Sequence, residues 1–236
     1  MKPTHFIKRH LTILILFVCI LMMGTGSSVK AGLSISEWQD YFNSELLDLA
    51  WSWIGEEPTM WSLTANPGYM RLTTHTEGGQ NFLVQPMPGG DFMVETHFFA
   101  EPLDNFQNAG ILLYLNDDNH LSLIRAYCGY CPTGGNGIYF DHVSEGGFVE
   151  PNYAMVFTPN DEAWLRIVKQ GTTYTGFVSA NGTDWTLVGS HNPSFVPVYV
   201  GLRASNNGSG DPITADFDFF KYITYPHHAY LPLLIR

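Results

Sequence analysis

The residues best suited to bind a ligand are aromatic and lie near a pair of cysteines. Tyr127, Tyr130 and Tyr139 fall in or beside the Gly-rich segment around Cys128 and Cys131, and Trp53 belongs to a second aromatic-rich stretch. Flat aromatic rings stack on the C–H faces of sugars, while nearby Asn, Asp and Arg side chains bond to the hydroxyl groups. The sequence therefore predicts carbohydrate-binding residues at Trp53, Tyr127, Tyr130 and Tyr139.

Core packing is the competing explanation for every aromatic ring of this chain. We favour it for Trp51, Trp61 and Trp164. Tyr130 lies inside a Gly-rich loop, so we expect its ring to be exposed.

The two cysteines Cys128 and Cys131 are predicted to form a disulfide that closes a small loop, which is the default for such a pair in an oxidising compartment. Zinc is the alternative, because His120 and His142 flank the pair and His and Cys are zinc ligands. The spacing matches no standard zinc finger, and no βαβ pattern surrounds the pair as a redox-active motif would require. The disulfide is the preferred interpretation.

Carboxylates offer a weaker signal for a metal ion. Asp216 and Asp218 alternate along the last predicted strand and therefore share one face of it. A solvated strand face explains that pair adequately. The sharper hypothesis is a structural calcium ion held by Asp216 and by Asp40, since calcium prefers oxygen ligands. Neither a Ser/His/Asp arrangement nor an H-E-x-x-H motif is recognisable, so no catalytic residues are predicted.

The first 31 residues have the layout of a secretory signal. Lys2, Lys8 and Arg9 precede an apolar run of about 13 residues, and small and polar residues lead to a predicted cleavage after Ala31. A membrane anchor is the rival, but a bilayer-spanning helix needs about 20 residues. We expect a secreted or cell-surface protein with no membrane span after cleavage. The predicted domains are a signal peptide at 1–31, a β-sandwich at 32–224 and a C-terminal tail at 225–236.

The charge of the exported part excludes some partners. All 22 acidic residues but only seven of the 11 basic residues follow Ala31, which gives a net charge of −15. Nucleic acids and anionic lipids are bound by clustered Lys and Arg, so we expect neither as a partner.

Short alternating runs separated by turn residues predict an all-β fold. Between them stand Pro-Gly-Gly, Asn-Gly and similar clusters, without a long helical pattern, and this spacing is typical of a sandwich or barrel. Residues 38–49 are expected to contain a helical turn or two. Predicted strands lie near residues 69–74, 82–85, 92–99, 109–115, 121–127, 137–142, 164–169, 174–179, 185–189, 198–204 and 214–222.

The order of these pieces resembles a known family. The run L-A-W-S-W-(x)4-P-x-x-W-S-L-x-x-x-P-G-Y-M-R-L, from Leu49 to Leu72, is similar to the start of the C-terminal β-sandwich of family 43 glycoside hydrolases, the β-xylosidases. Further matching pieces follow in the same order up to Tyr222. The resemblance implies the concanavalin A-like lectin and glucanase superfamily, with a jelly roll of two antiparallel sheets.

Departures from that family limit what the resemblance implies about activity. The β-xylosidases carry a catalytic five-bladed propeller before this sandwich, whereas here the predicted signal peptide leads into the sandwich. Their Asn-His-Asn-Pro segment is replaced by Ile54 to Pro58. The superfamily's glucanases carry E-x-D-x-x-E on one strand, with two catalytic carboxylates about 5 Å apart, and no such string is found here.

We therefore predict an exported, non-catalytic β-sandwich module that binds a polysaccharide or glycan and needs no cofactor other than structural calcium. The first alternative is a cell-surface structural or adhesion domain whose apolar tail, Tyr225 to Arg236, docks to a partner. An enzyme related to glycoside hydrolases is the third hypothesis.

Overall fold

The chain folds into two antiparallel β-sheets of eight strands each, packed as the jelly-roll sandwich that the sequence predicts. This description comes from a computed structural model, which describes residues 35–75, 80–208 and 210–225. The predicted signal peptide and the tail beyond Tyr225 lie outside the described residues.

Sheet I has the strand order β14-β13-β12-β6-β16-β4-β3, and β1 pairs with β16. Its strands are β1 (Ser36–Asp40), β3 (Trp61–Ser62), β4 (Met70–Thr73), β6 (Asp91–Ala100), β12 (Glu162–Gln170), β13 (Thr173–Ser179), β14 (Thr186–His191) and β16 (Thr214–Tyr225).

Sheet II has the strand order β10-β9-β8-β7-β15-β5-β2, and β11 pairs with β9. Its strands are β2 (Ser52–Ile54), β5 (Phe82–Pro86), β7 (Gln107–Asn116), β8 (Asn119–Cys128), β9 (Gly135–Ser144), β10 (Gly147–Phe148), β11 (Tyr153–Met155) and β15 (Tyr199–Asn206).

The core lies between the sheets and follows from the alternation of side chains along each strand. In β12, Leu165 and Ile167 point inward and are fully buried, as are Leu121 and Leu123 of β8. Strand β7 occupies the middle of sheet II, in agreement with its almost continuous apolar run. The alternate positions of these strands point outward and are available for a site.

All eleven predicted strands are present, with ends that differ by a few residues. The Asn-Gly hairpin is also present: Oδ1 of Asn181 accepts hydrogen bonds from the backbone N–H of Thr183 and of Asp184, both at 2.9 Å. Gly182 there has φ +72°, a left-handed conformation that glycine adopts without strain.

The prediction of helical turns in residues 38–49 is wrong. Ser36–Asp40 forms β1 instead and pairs with the last part of β16. The Trp38 ring stacks on Tyr222 at 5.9 Å and meets the edge of Trp51 at 5.5 Å. These long-range ring contacts outweigh local helix propensity. The only helical element of the described residues is one 3-10 turn, Pro58–Met60, and none there is long and apolar enough to cross a membrane.

The prediction that Trp164 belongs to the core is also wrong. Trp164 points away from Leu165, onto the outer face of sheet I, where its half-buried ring stacks on His97 at 3.7 Å. Trp51 is buried in the core as predicted, and Trp61 is half-buried against it.

Candidate functional site: a groove on the outer face of sheet II

A groove of about 560 Å³ runs over the outer face of sheet II. Its floor consists of outward-pointing residues of β8, β9 and β15, and its rim is aromatic. We define the groove by its floor residues, His120, Ser122, Asp141 and Arg203, and its rim residues, Tyr127, Tyr130, Tyr139 and Phe148.

Three of the four predicted sugar-binding aromatics lie in this groove. The Tyr130 side chain is 69% exposed, as expected, Tyr127 is half-buried and Tyr139 is buried. The ring of Phe106 lies 6.1 Å from that of Tyr130. Phe148, which the sequence analysis missed, is 69% exposed and adds a second open ring to the rim.

The hydroxyl of Tyr139 is turned toward the backbone near the end of the groove. It donates to the carbonyl of Gly135 at 3.2 Å and contacts the hydroxyl of Thr133. Burial raises the pKa of Tyr139. Tyr139 therefore forms a fixed wall, whereas Tyr130 has an open face that can stack on a ligand.

The loop that carries Tyr130 is closed by the predicted disulfide between Cys128 and Cys131. It is also tied to the neighbouring strand connection, because Oδ1 of Asn105 accepts a hydrogen bond from the N–H of Gly129 at 2.7 Å. With both sulfurs in the disulfide, the two thiolates that the zinc alternative needs are absent from this loop. His120 and His142 also alternate on opposite faces of sheet II, since His120 pairs with Val143.

Arg203 is the central charge of the groove floor. Its Nη1 donates to Oγ of Ser122 at 2.9 Å, and its guanidinium lies over the Phe82 ring, 5.2 Å from the centroid. Arg203 is 7% exposed, and its Nε has no hydrogen-bond partner among the described residues. Burial lowers the pKa of Arg203 to about 10, a value at which the side chain stays charged at neutral pH.

Asp141 lies beside Ser122 on the neighbouring strand β9. Its Oδ1 is shielded from solvent and has no hydrogen-bond partner among the described residues. Burial raises the pKa of Asp141 to about 6, although the charge of Arg203 and a hydrogen bond with Asn152 act in the opposite direction. Asp141 thus brings to the groove lining a carboxylate whose ionised form is disfavoured by burial.

His120 contributes a neutral acceptor. Its Nδ1 lies 3.0 Å from the carbonyl oxygen of Asp117, so Nδ1 carries the hydrogen and Nε2 keeps its lone pair. Burial, and then the charge of Arg203, lower the pKa of His120 to about 4, which leaves the ring uncharged at neutral pH.

These side chains form a polar floor of donors and acceptors below an aromatic rim. Such an arrangement matches a ligand with several hydroxyl groups and apolar ring faces. The sequence signal for the floor was weak. Ser122, Asp141 and Arg203 belong to three different strands, and only the sheet order brings them together.

Trp53, the fourth predicted aromatic, lies elsewhere. It belongs to β2 at the end of sheet II, where its half-buried ring packs on Trp61 at 5.1 Å and against the core. Trp53 therefore does not join the three tyrosines.

The two residues predicted to bind calcium each have hydrogen-bond partners. Asp40 accepts from Nε1 of Trp51 at 2.9 Å and from the N–H of Phe42 at 2.8 Å. Asp216 accepts from Arg71 at 2.6 and 2.7 Å and from Asn66. Among the described residues no group of three or more His, Cys, Asp or Glu side chains is suited to a metal ion. Calcium at Asp40 and Asp216 stays a prediction that this geometry does not strengthen.

The outer face of sheet I differs from the groove because its charges neutralise one another. Glu95 is buried and accepts from Arg166 at 2.6 Å and from Lys221 at 2.9 Å. His97 lies 2.9 Å from both Glu162 and Asp218. This face is stabilised by its own ion pairs.

Known proteins share this sandwich. The chain is 27% identical over 209 residues to a putative beta-xylosidase of Escherichia coli K12, covering 78% of this chain and 38% of that protein. It is 24% identical over 202 residues to the non-reducing end alpha-L-arabinofuranosidase BoGH43B of Bacteroides ovatus, covering 78% of this chain and 36% of that protein.

The solved structure of the GH43 protein BlXynB from Bacillus licheniformis has the same fold, with a TM-score of 0.71 at 23% identity. The superposition covers 79% of this chain and 39% of that one. The chain therefore spans less than two fifths of the length of each of these relatives.

The model of the beta xylosidase C-terminal concanavalin A-like domain matches residues 39–223. That range contains all but the ends of the sandwich and the entire groove. The chain belongs to this family of C-terminal domains of family 43 glycoside hydrolases.

Proposed function

We propose that this protein is an exported, non-catalytic module that binds carbohydrate in the groove of sheet II. The observation that carries the proposal is the position of Tyr130. Its open aromatic face lines the same groove as the charged side chains of Arg203 and Asp141. A ligand rich in hydroxyl groups can stack a ring face on Tyr130 and exchange hydrogen bonds with the polar floor.

The relatives indicate which sugars to test first. Their names describe action on β-xylosides and on non-reducing-end α-L-arabinofuranosides. We therefore propose xylan-type glycans, with xylose in the main chain and arabinose as a substituent, as the ligand class. The family match to a C-terminal domain supports a binding role rather than a catalytic one.

Isothermal titration of the purified protein with xylo-oligosaccharides and arabinoxylan fragments tests this proposal. We expect saturable binding that Tyr130→Ala weakens. Tyr41→Ala is the matched control, because Tyr41 is 47% exposed and lies just beyond β1 of sheet I. Absence of binding across a broad glycan panel would refute the proposal. Release of free sugar from xylo-oligosaccharides by the protein alone would contradict its non-catalytic part.

A further inference from the structure

A second hollow of about 220 Å³ adjoins the groove on the same face of sheet II. We call it the side hollow and define it by Gln80, Phe82, Leu112 and Tyr114, which line it and not the groove. Arg203, His120, Asp117 and Asn207 line both spaces. We call these four residues the shared wall, because they lie where the groove and the side hollow adjoin.

The two spaces together run across the strands. The floor of the groove begins at Asp141 of β9, and the side hollow reaches β5, with β8, β7 and β15 between them. Four interstrand spacings amount to about 19 Å. That length is greater than one monosaccharide and suits a short chain of sugar units.

The shared wall offers polar groups to a chain that crosses it. The guanidinium of Arg203 is a cationic donor, and the unprotonated Nε2 of His120 is an acceptor. On the side of the hollow, the hydroxyl of Tyr114 donates to Oδ1 of Asp117 at 2.7 Å, and Gln80 donates to the same oxygen. These bonds fix the carboxylate of Asp117 where the two spaces meet.

The charge of this surface selects against acidic ligands. Asp117, Asp141 and Glu150 line the groove together with Arg203, the one Lys or Arg of its described lining. A sugar carboxylate would meet these like charges in a recessed site where repulsion is weakly screened.

From these observations we infer that the groove and the side hollow form one continuous site for a neutral oligosaccharide that lies across the strands and passes over Arg203. This inference rests on the proposed function and specifies its ligand. It states that recognition extends over several sugar units instead of being confined to one terminal unit.

Calorimetric titration of the full chain with xylobiose, xylotetraose and xylohexaose tests the inference. We expect the affinity to rise with length, by about tenfold from the shortest to the longest ligand. Gln80→Trp should fill the side hollow and abolish this gain, so that the three ligands bind the variant with similar affinity. Gln39→Trp on β1 of sheet I is the matched control and should keep the full gain.

Backbone amide chemical shifts provide a readout that needs no variant. The amides of Gln80 and Leu112 should shift with xylohexaose and not with xylobiose, whereas those of Tyr130 and Asp141 should shift with both. A glucuronic-acid-substituted xylo-oligosaccharide should bind more weakly than the neutral chain of equal length.

The outcomes separate this inference from the proposed function. Equal affinity for all lengths, with shifts confined to the groove, would overturn the inference and leave the proposed function standing. Tighter binding of the acidic oligosaccharide would overturn its neutral-ligand part. If none of these sugars binds, both the inference and the proposed function fail.

Discussion

Arg203 donates a hydrogen bond to Ser122 at 2.9 Å across an intervening strand, because β7 lies between β15 and β8. The guanidinium is thus held against the sheet, and Arg203 is only 7% exposed. Its Nε remains unpaired. A charge that lines the groove and is fixed in position is suited to recognition, since little entropy is lost when a ligand binds it.

Asp141→Asn is expected to stabilise the protein and weaken sugar binding. The pKa of Asp141 is raised from 3.8 to about 6, so its protonated form is favoured in the folded state. The raised pKa of Asp141 therefore contributes fully to the free energy of unfolding below about pH 4. This contribution is lost as the pH rises toward and past 6. Asn resembles the protonated acid, so at pH 7 the variant should gain roughly 1 to 3 kcal/mol in unfolding free energy.

Urea denaturation at several pH values measures this effect. The gain of Asp141→Asn over the parent should be present at pH 7 and shrink toward pH 4, and the affinity for xylo-oligosaccharides should fall about tenfold. A variant that is less stable than the parent at pH 7 would contradict the view that burial disfavours the ionised form of Asp141.

Tyr130→Ala is expected to weaken binding without affecting folding. The ring is largely exposed, so the unfolding free energy should change by less than about 0.5 kcal/mol. Loss of one stacking surface should lower the affinity roughly fivefold, about 1 kcal/mol. Titration and thermal melting check the two parts, and an unchanged affinity would remove Tyr130 from the site.

Replacing both Cys128 and Cys131 by Ser is expected to affect stability and binding together. The disulfide closes a loop of four residues, since the cysteines are separated by three positions, and its loss should cost about 2 kcal/mol. Tyr130 lies within that loop, so the affinity should also fall, by no more than in Tyr130→Ala. Full affinity in the double variant would show that the disulfide does not position the ring.

Glu95→Ala is expected to destabilise the protein and leave binding intact. The side chain of Glu95 is 4% exposed and neutralises Arg166 and Lys221 on the outer face of sheet I. Removing it leaves two cations without their shared carboxylate, at a cost of about 3 kcal/mol. Chemical denaturation measures the loss, and titration at a temperature where the variant is folded should give the parent affinity. A matching drop in affinity would mean that sheet I takes part in binding.

The strands were predictable from the sequence because apolar alternation and turn residues are local signals. Tyr174–Ser179 and Phe82–Gln85, for example, stand out from their own residues and from the turns beside them. The missed strands are β1, β2, β3, β10 and β11, which have two to five residues each. Strands this short carry too little pattern, and their pairing depends on distant partners such as β16 for β1.

Only part of the site could be predicted, because the sequence contains local patterns and does not contain the order of strands in a sheet. Tyr127, Tyr130 and Tyr139 are close in sequence and were found together. Asp141 and Arg203 are 62 positions apart and reach the same floor through the order of β9, β8, β7 and β15, which no local pattern contains. Trp164 was wrongly assigned to the core because alternation shows which residues of a strand share a face but does not show which face points inward.

Mapping bound xylohexaose by backbone amide chemical shifts tests the central claim most directly, because it locates a ligand without altering the protein. We predict saturable shifts at Ser122, Tyr130, Asp141 and Arg203 on sheet II, and none at Glu95 or Trp164 on sheet I. Shifts confined to sheet I, or no shifts at saturating ligand, would contradict a carbohydrate-binding groove on sheet II.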